Sequence, residues 1–224
     1  MFKNVLLVGV AFASPIFAQT NGTAPANLLI AAQKSPGEFA MLLATASVPS
    51  GIELKEGDEF YPSVNPDYTM NVTNTVPVTD LVKMFNSQHH DYRATTVDGV
   101  LVIRPLEGRV RYLDEPSPIK GHTAVVGLMT AAKHVFLPLQ PGLLGPTVGS
   151  RLGEGDRGED AHVALDGVGS QKVMDSLNQI VRQVPRTWYV VSRQVGDEWQ
   201  IARFGFLHGS GMTSYTNLLP RVAK

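Results

Sequence analysis

The chain predicts an α+β fold built of two related β-α-β-β modules, each a small mixed sheet with helices packed on one face. Three observations predict it. A short strand, an amphipathic helix and two further strands succeed one another from residue 68 to 105, and the same order returns from 162 to 206. Asp98-Gly99 stands between two β-prone runs, the favoured two-residue hairpin turn, because both central positions need positive φ. Hydrophobic residues make up 43% and charged residues 17% of 224, a globular composition and not a disordered one.

The first 18 residues read as a secretory leader. Lys3 gives the positive start, residues 5–13 an apolar run too short to span a bilayer, and Ala18 a small residue for cleavage. Residues 19–35 form a polar lead-in that turns apolar at Leu28, Leu29 and Ile30. Ser35 as cap and Pro36 in the first turn open a helix over 38–46. Its stripe of Phe39, Leu42, Leu43 and Ala46 has the i, i+3, i+4, i+7 spacing of a buried face. Pro49-Ser50-Gly51 ends it, and a short strand is expected over 52–55.

Pro62 and Pro66 mark a loop, and Met70 and Val72 alternate along a half-buried strand over 69–73. Thr79-Asp80 start a helix that reaches Gln88, with Val78, Leu81, Val82 and Phe85 inward. In the hairpin that follows, Val97 opposes Val100 and Thr95 opposes Val102. Tyr92, Ala94, Thr96, Leu101 and Ile103 make the core face. Arg93 and Arg104 face each other on the outer side, where like charges fray the pair or meet an anionic partner.

Residues 106–123 read as a linker, and Arg104, Arg109 and Arg111 as solvated surface. A helix is expected over 124–136, with Val125, Leu128 and Met129 on one face. A Pro/Gly-rich insertion spans 137–161, unusually long for a loop inside a compact domain. Val163 and Leu165 begin the second module (124–207). Ser170 caps a helix lined by Val173, Leu177, Ile180, Val181 and Val184, and Pro185 stops it. Strands over 187–193 and 199–206 flank Gly196-Asp197, and 208–224 form a tail.

Residues 38–105 resemble the STN module, the short N-terminal domain of secretins and TonB-dependent receptors. The helix FAMLLATAS, the strand Gly51-Ile52-Glu53-Leu54, the segment MNVTNTVPVTDLVKMF and the hairpin YRATTVDGVLVIRP carry the likeness. It covers about a third of the chain. The resemblance implies a periplasmic α+β fold and protein–protein contact with no chemistry of its own. The large outer-membrane portion that follows the module in those proteins has no counterpart in these residues. A stand-alone adaptor or accessory protein is therefore expected.

Other chemistry finds little footing. Formal net charge is −1, so nothing attracts nucleic acid at long range. The absence of cysteine excludes disulfides, thiol catalysis and a lipid-modified cysteine. The 153–158 run fits G-x-G-x-x-G only formally, because an acidic run follows and no strand precedes it. Adjacent His89 and His90 point apart and rarely hold one ion. His208-Gly209-Ser210-Gly211 lacks the first glycine of a nucleophile elbow. No catalytic, cofactor or metal residues are therefore assigned, and no transmembrane segment is expected in the mature chain. Candidate partner-binding residues are Arg93, Arg104, Trp188, Tyr189 and Trp199, and the expected partner is a protein of the bacterial cell envelope. The alternative is a secreted metal-assisted hydrolase using dispersed His and acidic residues near the 137–161 loop. A weaker third reading is an envelope-polymer binder using Trp188, Tyr189 and Trp199.

Overall fold

The computed structural model describes residues 22–55, 58, 74–136, 138, 161–168, 171–194 and 197–208. The expected leader, the 69–73 strand, nearly all of the 137–161 insertion and the 209–224 stretch lie outside the described residues. The element order is β1 (Thr23–Pro25), α1 (Leu28–Ala31), α2 (Pro36–Thr45), β2 (Ser50–Leu54), β3 (Thr75–Pro77), α3 (Val78–Gln88), β4 (Tyr92–Val97) and β5 (Val100–Pro105). A 3-10 turn at Arg111–Asp114 follows, then β6 (Gly121–His122), β7 (Val126–Gly127), α4 (Leu128–Phe136), β8 (His162–Val163), β9 (Asp166–Gly167), α5 (Val173–Gln183), β10 (Thr187–Gln194) and β11 (Asp197–His208). The mixed α+β class is as expected. The short strands that precede α3 and α5, β3 and β9, lie in separate two-stranded ribbons and not beside the hairpins that follow those helices.

Local chemistry explains the helix ends. The Ser35 hydroxyl accepts from the Glu38 N–H at 3.3 Å, with Pro36 at the first helical position, satisfying a donor that the first turn cannot. Ser47, with φ of 61°, closes α2. Its N–H reaches the Ala44 carbonyl at 2.8 Å and the Val48 N–H reaches Leu43 at 2.9 Å, the paired bonds of a Schellman stop. At α5 the Asp175 carboxylate accepts from the Lys172 N–H at 2.8 Å; Ser170, the expected cap, lies outside the described residues. The Asp98-Gly99 turn has φ of 49° and 78°, as its hairpin requires.

The two hairpins do not occupy separate sheets. They join one five-stranded sheet of order β11-β10-β2-β5-β4, with β2 parallel to both β5 and β10. The short strand expected after α2 is thus the centre of the molecule. On one face Ile52, Leu54, Ala94, Leu101, Ile103, Trp188 and Val190 pack with α1, α2 and α3. On the other, Val100, Val102, Tyr189, Val191 and Phe206 pack with α4, α5 and the 3-10 turn. Helices cover both faces, so every residue of β2 and β5 is buried. The picture of one sheet per module with a single covered face is corrected accordingly. Small ribbons lie beside the helix layers: β1 with β3, β6 with β9 and β7 with β8, all antiparallel.

Two further expectations change. The 106–123 stretch is no free linker, because Val110, Tyr112, Leu113, Ser117 and Ile119 are buried and Ser117 bonds to Ser176 on α5 at 2.7 Å. The helix expected from 124 starts at Leu128. Val125 is 66% exposed and precedes the strand β7 instead of lining a helix face.

Candidate functional site

The arginine pair separates into two environments. Arg93 and Arg104 are cross-strand partners as expected, with Arg93 exposed on β4. Arg104 is 9% exposed, so the reading of a solvated outer arginine is corrected. Its anions come from the chain itself. Nε donates to the Glu53 carboxylate at 2.6 Å, and Nη1 and Nη2 grip both oxygens of Asp114 at 2.9 Å each. The second Glu53 oxygen accepts from the Val110 N–H. Lys172 lies 3.5 Å from Asp114 at the surface. Burial pushes the Glu53 carboxyl above the ordinary carboxylate range, against the pull of Arg104. Burial would raise Asp114 as well, but Arg104 and Lys172 outweigh it and hold that carboxyl low. This network ties the 3-10 turn to the centre of the sheet.

Trp188 and Tyr189 are both fully buried, on opposite faces of β10. They serve as core and offer no surface in this state. The Tyr189 hydroxyl donates to Asn178 Oδ1 at 3.2 Å. The Trp199 side chain lies outside the described residues, as do the 153–158 glycine run and Ser210.

His89, His90 and Asp91 border a polar cleft of about 410 Å³ shared with Pro36, Lys55, Asp58, Gln88 and Tyr92. Its groups are engaged with one another. Lys55 Nζ lies 2.7 Å from Asp91, and this bond lowers the Asp91 carboxyl. The Tyr92 hydroxyl accepts from the Lys55 N–H at 2.8 Å and donates to Asp58. Burial pushes this phenol far up, which keeps it neutral. His89 stacks on Phe85 with 4.1 Å between centroids and meets the Ala32 carbonyl at 3.1 Å through Nε2, so Nε2 carries the proton. Burial lowers its basicity. The cleft fastens β2 and β4 to the helix layer. Among the described residues no three His, Asp or Glu side chains converge on a metal position.

The arrangement with a bearing on recognition is the treatment of strand edges. A free edge offers unpaired N–H and C=O groups to any passing strand. In β4 the two-residue turn sets Val97 and Thr95 toward β5, so Ala94 turns its N–H and C=O outward. The Asn86 carboxamide of α3 meets both, accepting from Ala94 N at 2.8 Å and donating to Ala94 O at 3.0 Å. The same device recurs twice on α5. Gln183 clamps Ala164 at 3.0 and 2.8 Å, and Gln179 clamps Asp166 at 2.8 Å in both directions. A primary amide carries one acceptor and donors on one carbon, so it mimics the peptide group of a neighbouring strand. Sequence reasoning missed these residues; the one signal is the i, i+4 spacing of Gln179 and Gln183 on an otherwise apolar-striped helix.

Among the described residues, edges without such a clamp include the outer side of residues 121–127, whose inner side pairs with 162–167, and the three-residue strands β1 and β3. The last strand of the large sheet is β11, whose strand partner is β10. Asn86→Ala is expected to speed hydrogen exchange at the Ala94 amide and to cost about 1 kcal/mol. Amide exchange by NMR alongside urea unfolding checks both; unchanged Ala94 protection would refute the clamp.

No family model, curated protein or solved structure matches this chain.

Proposed function

We propose that this protein is an exported, non-catalytic interaction protein of the bacterial cell envelope that recognises its partner by strand addition. The observation that carries the reading is selective sealing. The fold places carboxamide clamps on the outward backbone of Ala94, Ala164 and Asp166, and the longer edge at residues 121–127 carries none among the described residues. Backbone groups of an added strand would complete such an edge, and side-chain pockets beside it would set the choice of partner. The resemblance of residues 38–105 to the STN module supports a periplasmic setting and protein contact. So does the leader-like start of the sequence. No helix among the described residues is long and apolar enough to cross a membrane.

The test is amide hydrogen exchange on the full chain with and without a soluble envelope fraction, followed by identification of the bound protein. Protection confined to β11 or to residues 121–127 is the expected result. Protection confined to the polar cleft at Lys55 and His90, or turnover of an envelope component by the purified chain, would overturn the proposal.

A further inference from the structure

Residues 121–127 combine backbone availability on their outer side with exposed apolar side chains. The ribbon formed with 162–167 is continuous through the bond from Thr123 N–H to the Leu165 carbonyl at 2.9 Å. Gly121 opposes Gly167 and His122 opposes Asp166, but Val126 opposes Val163. Two residues, Ala124 and Val125, therefore face the single Ala164. This is a β-bulge, a feature that re-aims side chains and recurs beside functional sites.

The bulge displays Ala124 and Val125 outward. Val125 is 66% exposed and Val168, at the far end of the same ribbon, 62%. Among the described residues these are the two most exposed large apolar side chains. The edge GHTAVVG contains no lysine, glutamate or proline, the residues that usually discourage pairing. The partner strand behind it is already clamped to α5 by Gln179 and Gln183, so the ribbon is a fixed template. The edge strand β11, by contrast, is shifted twice in register near its hairpin tip and contains Arg203.

We infer that residues 121–127 dock an extended, uncharged, β-branched segment of a partner protein as a third strand of this ribbon, with an apolar side chain of that segment against Val125. The inference rests on the strand-addition reading above and names the edge and the partner chemistry. Charge and apolarity select the occupant: the one ionisable side chain of the seven, His122, already faces Asp166 at 3.5 Å, so a charged strand finds no free counter-charge on this edge and its charges are left partly desolvated. A second copy of this chain fits poorly. Antiparallel pairing of 121–127 with itself about a two-fold axis would bring both bulges together near Ala124 and break the ladder at its centre.

The experiment titrates acetyl-(Thr-Val)4-amide, and the same peptide with two valines replaced by lysine, into the full chain. Amide shifts are followed at Ala124 and Val125 and in β11, with molecular mass followed by light scattering. The uncharged peptide is expected to shift the 121–127 amides, the lysine peptide to bind at least tenfold more weakly, and Val125→Lys to weaken the uncharged peptide at least tenfold while Val125→Thr keeps it. Because Val125 is exposed, both variants should retain the wild-type spectrum elsewhere. Shifts confined to β11 would overturn this inference and leave strand addition standing. A dimer that forms through 121–127 and excludes the peptide would overturn it in favour of a second copy. Absence of shifts at both edges would overturn the inference and the strand-addition reading together.

Discussion

Replacing Arg104 by methionine is expected to lower the free energy of unfolding by about 3–5 kcal/mol, the cost of leaving one member of a buried ion pair alone. The magnitude follows from position. Glu53 is 1% exposed on the central strand, and Arg104 supplies its only cationic contact at hydrogen-bond distance among the described residues. Removing the guanidinium also frees Asp114, and with it one attachment of the 3-10 turn. The loss should depend on pH in a defined direction. Burial already holds the Glu53 carboxyl above its ordinary value, and loss of Arg104 raises it further. A carboxyl with a raised folded pKa favours folding below its unfolded value and loses that contribution as pH rises through the folded value. The variant should therefore be less impaired at pH 5 than at pH 8. Adding Glu53→Gln removes the orphan charge and keeps an acceptor for the Val110 N–H, so the double variant should regain at least half of the loss at pH 8. Urea unfolding of both variants at the two pH values decides. A single-variant loss below about 1 kcal/mol, or equal losses at both pH values, would refute the account.

Much of the fold was legible because local chemistry and periodicity agreed. The Ser35-Pro36 start, the Phe39/Leu42/Leu43 stripe, the Asp98-Gly99 hairpin with its register, and four apolar positions of α5 with Val184 at its C-cap all stand where pattern places them. Each depends on residues near one another in the chain. What failed was the relation between distant segments. VLVI and WYVV are runs without polar alternation, and such runs belong to strands buried on both faces; SGIEL places a polar Glu53 between Ile52 and Leu54, yet it too is buried throughout. Reading one face of β5 as outer misplaced Arg104, whose partners Glu53 and Asp114 arrive from other elements. The 106–123 stretch looked like a linker because proline and charge dominate it, yet Val110, Leu113 and Ile119 carry it into the core. Of the candidate partner residues, Trp188 and Tyr189 followed the ordinary rule that large aromatics near strong strands are core. The edge clamps were illegible because an asparagine or glutamine on a helix gives no sign of which backbone it meets.

The densest point of the core gives the second large effect. Gly51 and Tyr189 are direct neighbours on β2 and β10, and the phenol ring lies across the glycine. A methyl group at position 51 would sit 2.0 Å from Tyr189 Cζ and 2.1 Å from Cε1, well inside carbon–carbon contact. The ring cannot swing aside into solvent. It is fully buried, tethered through its hydroxyl to Asn178, and packed in the cluster that includes Val191 and Phe206. Gly51→Ala should thus exceed the usual overpacking cost of about 1–3 kcal/mol, because both strands belong to the parallel centre of the sheet and neither can retreat alone. Tyr189→Leu is itself costly, through lost packing and an unpaired Asn178 carbonyl, but it removes the clashing ring atoms. The two changes together should therefore cost at least about 2 kcal/mol less than the sum of the singles, the coupling expected of residues in direct contact. Denaturant unfolding of the two singles and the double measures that term. Additive losses would show that the ring does not need the space above Gly51, and would remove the physical reason for a glycine at the centre of the sheet.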